Sequence, residues 1–149
     1  VGSGPNIMQG YWKEAEATAK VLDQNGYHTG DLGYRDEEGY FYVTGRKDNL
    51  LKVGGHRINP QEIEDALMET GLVTETIVLG VPDELLGHKL IAVGVAKNGD
   101  VTVTHMLSEC AQKLPKYKLP HHIKLVRALP KNSSGKIDKA KCLEIAKAD

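Results

Sequence analysis

The stretch LPKNSSGKID, residues 129–138, carries a Ser/Gly tip that ends on a single lysine, Lys136. An ammonium on a long stem suits one task well, the stabilisation of negative charge building on phosphate or carboxylate oxygens. A Walker phosphate loop would need Gly five residues before Gly135 and Ser or Thr after Lys136. Pro130 and Ile137 stand there, so that reading fails. A solvated loop with an unengaged lysine is the plain alternative. Asp31 in TGDL, residues 29–32, raises a second pair of readings. A carboxylate after Gly at a strand turn can accept two hydrogen bonds from vicinal ribose hydroxyls, or it can simply be a turn residue. Arg46, after Gly45, offers a planar fork for phosphate or ribose oxygens, or is an ordinary exposed arginine. The six histidines (His28, His56, His88, His105, His121, His122) have no metal-site spacing with Cys or acids. No Ser/His/Asp or Cys/His arrangement follows from spacing alone.

Such groups need a scaffold, and the composition allows one. The 149 residues are 40% hydrophobic and 26% charged, the balance of a soluble globular chain of one domain or a domain plus part of another. Nineteen basic residues face twenty acidic ones, and no basic run is interleaved with aromatics, which speaks against a nucleic-acid surface. No apolar run is long enough to span a bilayer, and no signal-like segment opens the chain. Cys110 and Cys142 form no framework and no CxxC, and are expected as small buried residues in a reducing, cytoplasmic compartment. The chain begins at Val1 rather than Met, as a fragment starting mid-protein would.

The elements are readable in outline. EAEATAKVLDQNG, residues 14–26, predicts a short helix stopped at Asn25-Gly26. Residues 27–46 predict two strands around the turn Asp36-Glu37-Glu38-Gly39. NLLKVGGHRI predicts a hairpin bent at Gly54-Gly55. Asn59, Pro60 and Glu62 form a helix start with a capping box, Ile63, Ala66 and Leu67 give its apolar face, and Gly71 its end. Two strands follow, then a helix with Leu107, Ala111 and Leu114 on one side, a strand in HIKLVRAL, and a last helix capped by Asp138. The order from Asn49 is hairpin, α, β, β, α, β, α. It predicts an α+β domain, a small mixed sheet with packed helices, preceded by a β-rich segment. The junction falls in GRKDN, giving residues 1–47 and 48–149.

In combination the motifs say more. MQGYWKEAEAT, YHTGDLGYRDEEGYFYVTGRKDNLLKVGGHRINPQEIE and LPKNSSGKIDK occur in this order. Together they resemble the C-terminal part of AMP-forming acyl ligases, the adenylate-forming superfamily of acyl-CoA synthetases, peptide-synthetase adenylation domains and luciferases. The resemblance runs from about Gly4 to Lys141, with Ala15 and His28 standing where Pro and a basic residue are common.

The resemblance implies two half-reactions. A carboxylate attacks the α-phosphate of ATP, and a thiol, that of CoA, then takes the acyl group and releases AMP. Asp31 matches the acid that holds the ribose, Arg46 a second nucleotide-binding group, and Lys136 the adenylation lysine. Asp48 matches the hinge about which a small lid domain swings, and Gly54, Gly55, His56 and Arg57 match the lining of the CoA pantetheine tunnel. Residues 1–47 would be the tail of a large N-terminal domain, which is the partner of the lid. The acid pocket and the Mg²⁺ ligands would lie upstream, and the fragment alone is not expected to be active. Two other readings stand beside this one: an adenylation domain that loads a carrier protein, and a non-catalytic binding module.

Overall fold

The computed structural model describes residues 1–148. The chain divides into two compact units, Val1–Asp48 and Asn49–Asp149.

The first unit contains α1 (Ala15–Val21) and two hairpins, β1 (Leu22–Asp23) with β2 (Gly26–Tyr27), and β3 (Asp31–Arg35) with β4 (Phe41–Arg46). The predicted helix is therefore shorter than expected. Leu22 to Tyr27 turn into a hairpin instead, because Asp23 Oδ1 accepts the Asn25 N–H at 2.7 Å and closes the Gln24–Asn25 loop. Asn25-Gly26 ends no helix; it belongs to this tight turn. The β3–β4 turn falls where expected, with Asp36 Oδ1 accepting the Tyr40 N–H at 2.8 Å. No side chain of this unit is buried, and Trp12 and Phe41 are 86% and 79% exposed.

The second unit has a proper core. It comprises β5 (Leu51–Val53), β6 (His56–Ile58), α2 (Pro60–Glu69), β7 (Val73–Asp83), β8 (Gly87–Ala96), α3 (Val103–Lys113), β9 (His122–Leu125) and α4 (Lys139–Lys147). Its main sheet has the order β7-β8-β9, antiparallel between β7 and β8 and parallel between β8 and β9, so it is mixed. Strand β8 lies in the middle, and Leu90 to Gly94 are buried without a break because both faces are covered. The period of two sorts its side chains. Leu90 and Ala92 join Ile58, Ile63, Leu67, Met106 and Cys110 on one side. Ile91 and Val93 join Ile77, Leu129, Cys142 and Ala146 on the other.

The caps behave as local chemistry requires. Asn59 Oδ1 accepts the Gln61 N–H with Pro60 at the first helical position, and Asp138 does the same for Lys141. The Glu62 carboxylate, expected at the cap, is gripped by Lys118 at 2.5 and 2.7 Å. Glu64 turns inward from α2 and accepts the Val78 N–H at 2.8 Å, satisfying the edge strand β7; burial pushes its carboxyl up from the usual range. The α3 face differs from expectation. Met106 and Cys110 are buried, Leu107 is partly so and Ala111 is exposed, while Leu114 is buried as predicted, so the stripe is shifted by one position over the helix and meets the predicted one just past its end. Leu67 is fully buried. Truncating it in Leu67→Ala is expected to cost about 3 kcal/mol, read as a lower urea midpoint at unchanged slope.

Candidate functional site

Lys136 sits on a small hairpin of its own. Lys131 and Ile137 form an isolated antiparallel bridge, and the Asp138 N–H donates to Pro130 O at 2.8 Å just outside it. Within the loop, Asn132 N–H donates to Lys136 O at 2.8 Å, and Gly135, left-handed at φ +76°, sends its N–H to Asn132 O at 2.9 Å. The base is fixed to the body of the second unit. Leu129 is buried with Ile137 packed against the same cluster, and Lys131 Nζ meets Glu75 Oε1 at 2.6 Å near the start of β7. Lys136 itself is exposed, and its ammonium has no ion-pair partner among the described residues. The tip is thus a hydrogen-bonded turn that projects one cation with no ion-pair partner among the described residues.

The other charged candidates gather in the first unit. Asp31 and Arg46 are directly opposite in the β3–β4 register. Arg46 Nε lies 3.6 Å from Asp31 Oδ1, and Arg46 Nη2 donates to Thr29 O at 2.9 Å. The Asp31 N–H donates to Thr29 Oγ1 at 3.1 Å, so Thr29 braces both residues. Asp48 is close by, since a Cβ built on Gly30 would lie 3.3 Å from Arg46 Nη2 and 3.7 Å from Asp48 Oδ2. Both side chains remain about half exposed, which leaves carboxylate and guanidinium faces open to a polar ligand.

The remaining candidates form the β5–β6 turn. Gly54 and Gly55 take φ +53° and +85° between paired Val53 and His56, the two-residue turn that only residues tolerant of positive φ make well. The Gly54 N–H donates to Leu86 O at 2.9 Å, and His88 Nδ1 lies 3.1 Å from Lys52 O. Asp83 holds the β7–β8 turn from below, accepting the Leu85 and Leu86 N–H groups and Lys89 Nζ; the lysine contact, then the Leu86 amide, hold its carboxyl down at about 2. Gly54, His56 and Leu86 then line a cavity of about 460 Å³ with Tyr117, Pro120 and His121. His56 stacks on Tyr117 with ring centroids 4.3 Å apart. His121 Nδ1 accepts the Leu90 N–H at 3.0 Å, which places the proton of a neutral ring on Nε2. Arg57 is exposed beside the turn. Tyr117 was not singled out by the sequence, and His121 was weighed there only as a metal ligand. An aromatic between two lysines after Pro115 was the available signal.

Glu75, near the start of β7, and Asp83, at its end, are eight residues and about 26 Å apart along the strand. The Lys136 hairpin is fastened at the first end and the Gly54–His56 turn at the second.

Comparison with known proteins places this geometry in context. Residues 62–136 match the family described as AMP-binding enzyme C-terminal domain. The chain is 42% identical over 142 residues to a long-chain-fatty-acid–CoA ligase of Bacillus subtilis (strain 168), covering 95% of this chain and 25% of that protein. It aligns with ATP-bound MatB from Rhodopseudomonas palustris at a TM-score of 0.85 and 34% identity, over 96% of this chain and 29% of that one. With o-succinylbenzoate CoA synthetase (MenE) from Bacillus subtilis, in complex with the acyl-adenylate intermediate OSB-AMP, the TM-score is 0.81 at 34% identity, over 90% and 28%. The chain spans about a quarter of the length of the curated relatives it matches.

Proposed function

The chain belongs to the family of AMP-binding enzyme C-terminal domains, and from that premise we propose that it is the C-terminal part of an AMP-forming acid–thiol ligase, an acyl-CoA synthetase. The full-length enzyme joins a carboxylic acid, fatty or otherwise organic, to the α-phosphate of ATP with loss of pyrophosphate. It then passes the acyl group to the sulfur of CoA and releases AMP. Asp31 and Arg46 hold the nucleotide, Asp31 through the ribose hydroxyls. Lys136 stabilises the charge that gathers between acid and α-phosphate. Gly54 and Gly55 let backbone approach the pantetheine arm closely, with His56 and Arg57 beside its path. Among the described residues no three His, Cys, Asp or Glu side chains come together as a metal site. The Mg²⁺ that accompanies ATP is assigned to residues outside this chain.

The observation that carries the reading is the separation along β7. The Lys136 hairpin is anchored at Glu75 and the glycine turn, through Leu86, at Asp83, points about 26 Å apart along β7, so a single orientation would not readily bring both to one substrate. A lid that rotates between the steps resolves this, and Asp48, where the two units divide, is its hinge. The exposed aromatics of the first unit, Trp12, Tyr34, Tyr40 and Phe41, support its assignment to a larger domain that would cover them. On this reading, full-length enzyme supplied with ATP, Mg²⁺, free CoA and a panel of acids should form acyl-CoA, AMP and pyrophosphate. Thioester appearing only on a phosphopantetheinyl carrier protein would select the carrier-loading alternative, and no thioester with any acceptor would defeat both.

A further inference from the structure

We infer that Asn132 is the positioning residue that fixes Lys136 for adenylation, an inference that rests on Lys136 acting in that step. The two residues are tied through both backbone groups of the lysine. Asn132 N–H donates to Lys136 O at 2.8 Å, and Lys136 N–H donates to Asn132 Oδ1 at 3.0 Å. The same Oδ1 accepts the Ser134 N–H at 3.0 Å, while the Asn132 carbonyl accepts the Gly135 N–H at 2.9 Å. One residue thus holds three of the four that follow it. Its short amide side chain is the type that bonds amides a few residues on and mimics a backbone turn.

The consequence is directional. Lys136 has a long, rotatable stem and no ion pair among the described residues to orient it, so the aim of its ammonium depends on where its backbone is pinned. The loop is exposed. Water can satisfy the Ser134 and Lys136 amides if Oδ1 is removed, so the fold loses little. The pinning of Lys136 N–H is lost, and misplacement of a charge-stabilising group by an ångström is enough to matter in the transition state. Asn132 therefore contributes to the rate of the first step rather than to nucleotide affinity.

The test compares Asn132→Ala, Asn132→Ser and Asn132→Asp in the full-length enzyme, each also combined with Lys136→Ala. The readouts are acid-dependent ATP–pyrophosphate exchange, thioester formation from supplied acyl-adenylate and CoA, and melting temperature. Asn132→Ala is expected to lower the kcat of exchange by about 10- to 100-fold, with KM for ATP within about twofold and the second half-reaction unchanged. Asn132→Asp keeps the acceptor and should stay within about threefold of the parent. Asn132→Ser, whose hydroxyl reaches the Ser134 amide but not that of Lys136, should fall between. In the Lys136→Ala background the alanine change should have no further effect, because the group it positions is gone. Exchange within about twofold of the parent in Asn132→Ala would overturn the inference. So would equal loss of both half-reactions with a lowered melting temperature, or a further drop in the Lys136→Ala background. Full exchange in Lys136→Ala alone would instead defeat the adenylation role of the lysine, and the inference would fall with it.

Discussion

Lys136→Ala in the full-length enzyme is expected to lower acid-dependent ATP–pyrophosphate exchange by about 10²- to 10³-fold, the range seen when one preorganised charge-stabilising group is removed. Thioester formation from supplied acyl-adenylate should stay within about threefold of the parent. The asymmetry follows from charge. In the first step a carboxylate approaches a phosphate that is already anionic, and a cation between them stabilises the crowding most where the two are closest. In the second step a thiol attacks an acyl carbon, and the developing charge sits elsewhere. The structure supplies the means: a cation with no carboxylate partner among the described residues, held on a turn with a bonded base. Lys136→Arg should not restore the rate fully, because the broad guanidinium fork spreads the charge that the compact ammonium concentrates. Equal loss of both half-reactions would end the assignment.

Which features were legible in the sequence depended on how far apart the deciding residues lie. Asn59-Pro60, Asp138 and Gly54-Gly55 act through bonds that span a few residues, so their types alone announced two helix starts and a tight turn. The order of elements in the second unit followed, and with it the α+β class. The first unit was harder. Leu22 to Tyr27 have the composition of a helix end, and Asp23 decided for a hairpin by capturing an amide two residues on. On α3, Leu114 joined the core as its place in the stripe suggested, but Met106 and Cys110 took the places expected of Leu107 and Ala111, a choice between neighbouring apolar residues that composition alone does not make. Tyr117 escaped notice because its meaning lies in a stack with His56, on an element far upstream. Asn132 was hidden for the opposite reason. Its bonds are entirely local, but a run of Asn, Ser, Ser and Gly reads as slack until the single amide oxygen that organises it is seen.

Asp48→Pro is expected to separate the two half-reactions, lowering one by about 10²-fold and leaving the other within about threefold. Asp48 lies in a single 3-10 turn, Lys47–Asn49, at the division between the two units. The Lys47 N–H donates to Gly30 O at 2.8 Å and anchors the turn to the first unit. A hinge needs a few residues free to change φ and ψ, and proline removes that freedom at its own φ and disfavours the helical region for the residue before it. A penalty of about 3 kcal/mol against one conformer shifts its population by about 10²-fold, enough to make one step depend on a rare orientation. Asp48→Ala is the control. It removes the carboxylate near Gly30 and Arg46 but leaves both dihedrals free, so both half-reactions should remain within about threefold. The discriminating observation is the pattern rather than the size of the loss. If proline impaired both steps alike, or neither, the rotation would have to occur elsewhere in the chain. If alanine reproduced the proline effect, the carboxylate rather than backbone freedom would be what position 48 supplies.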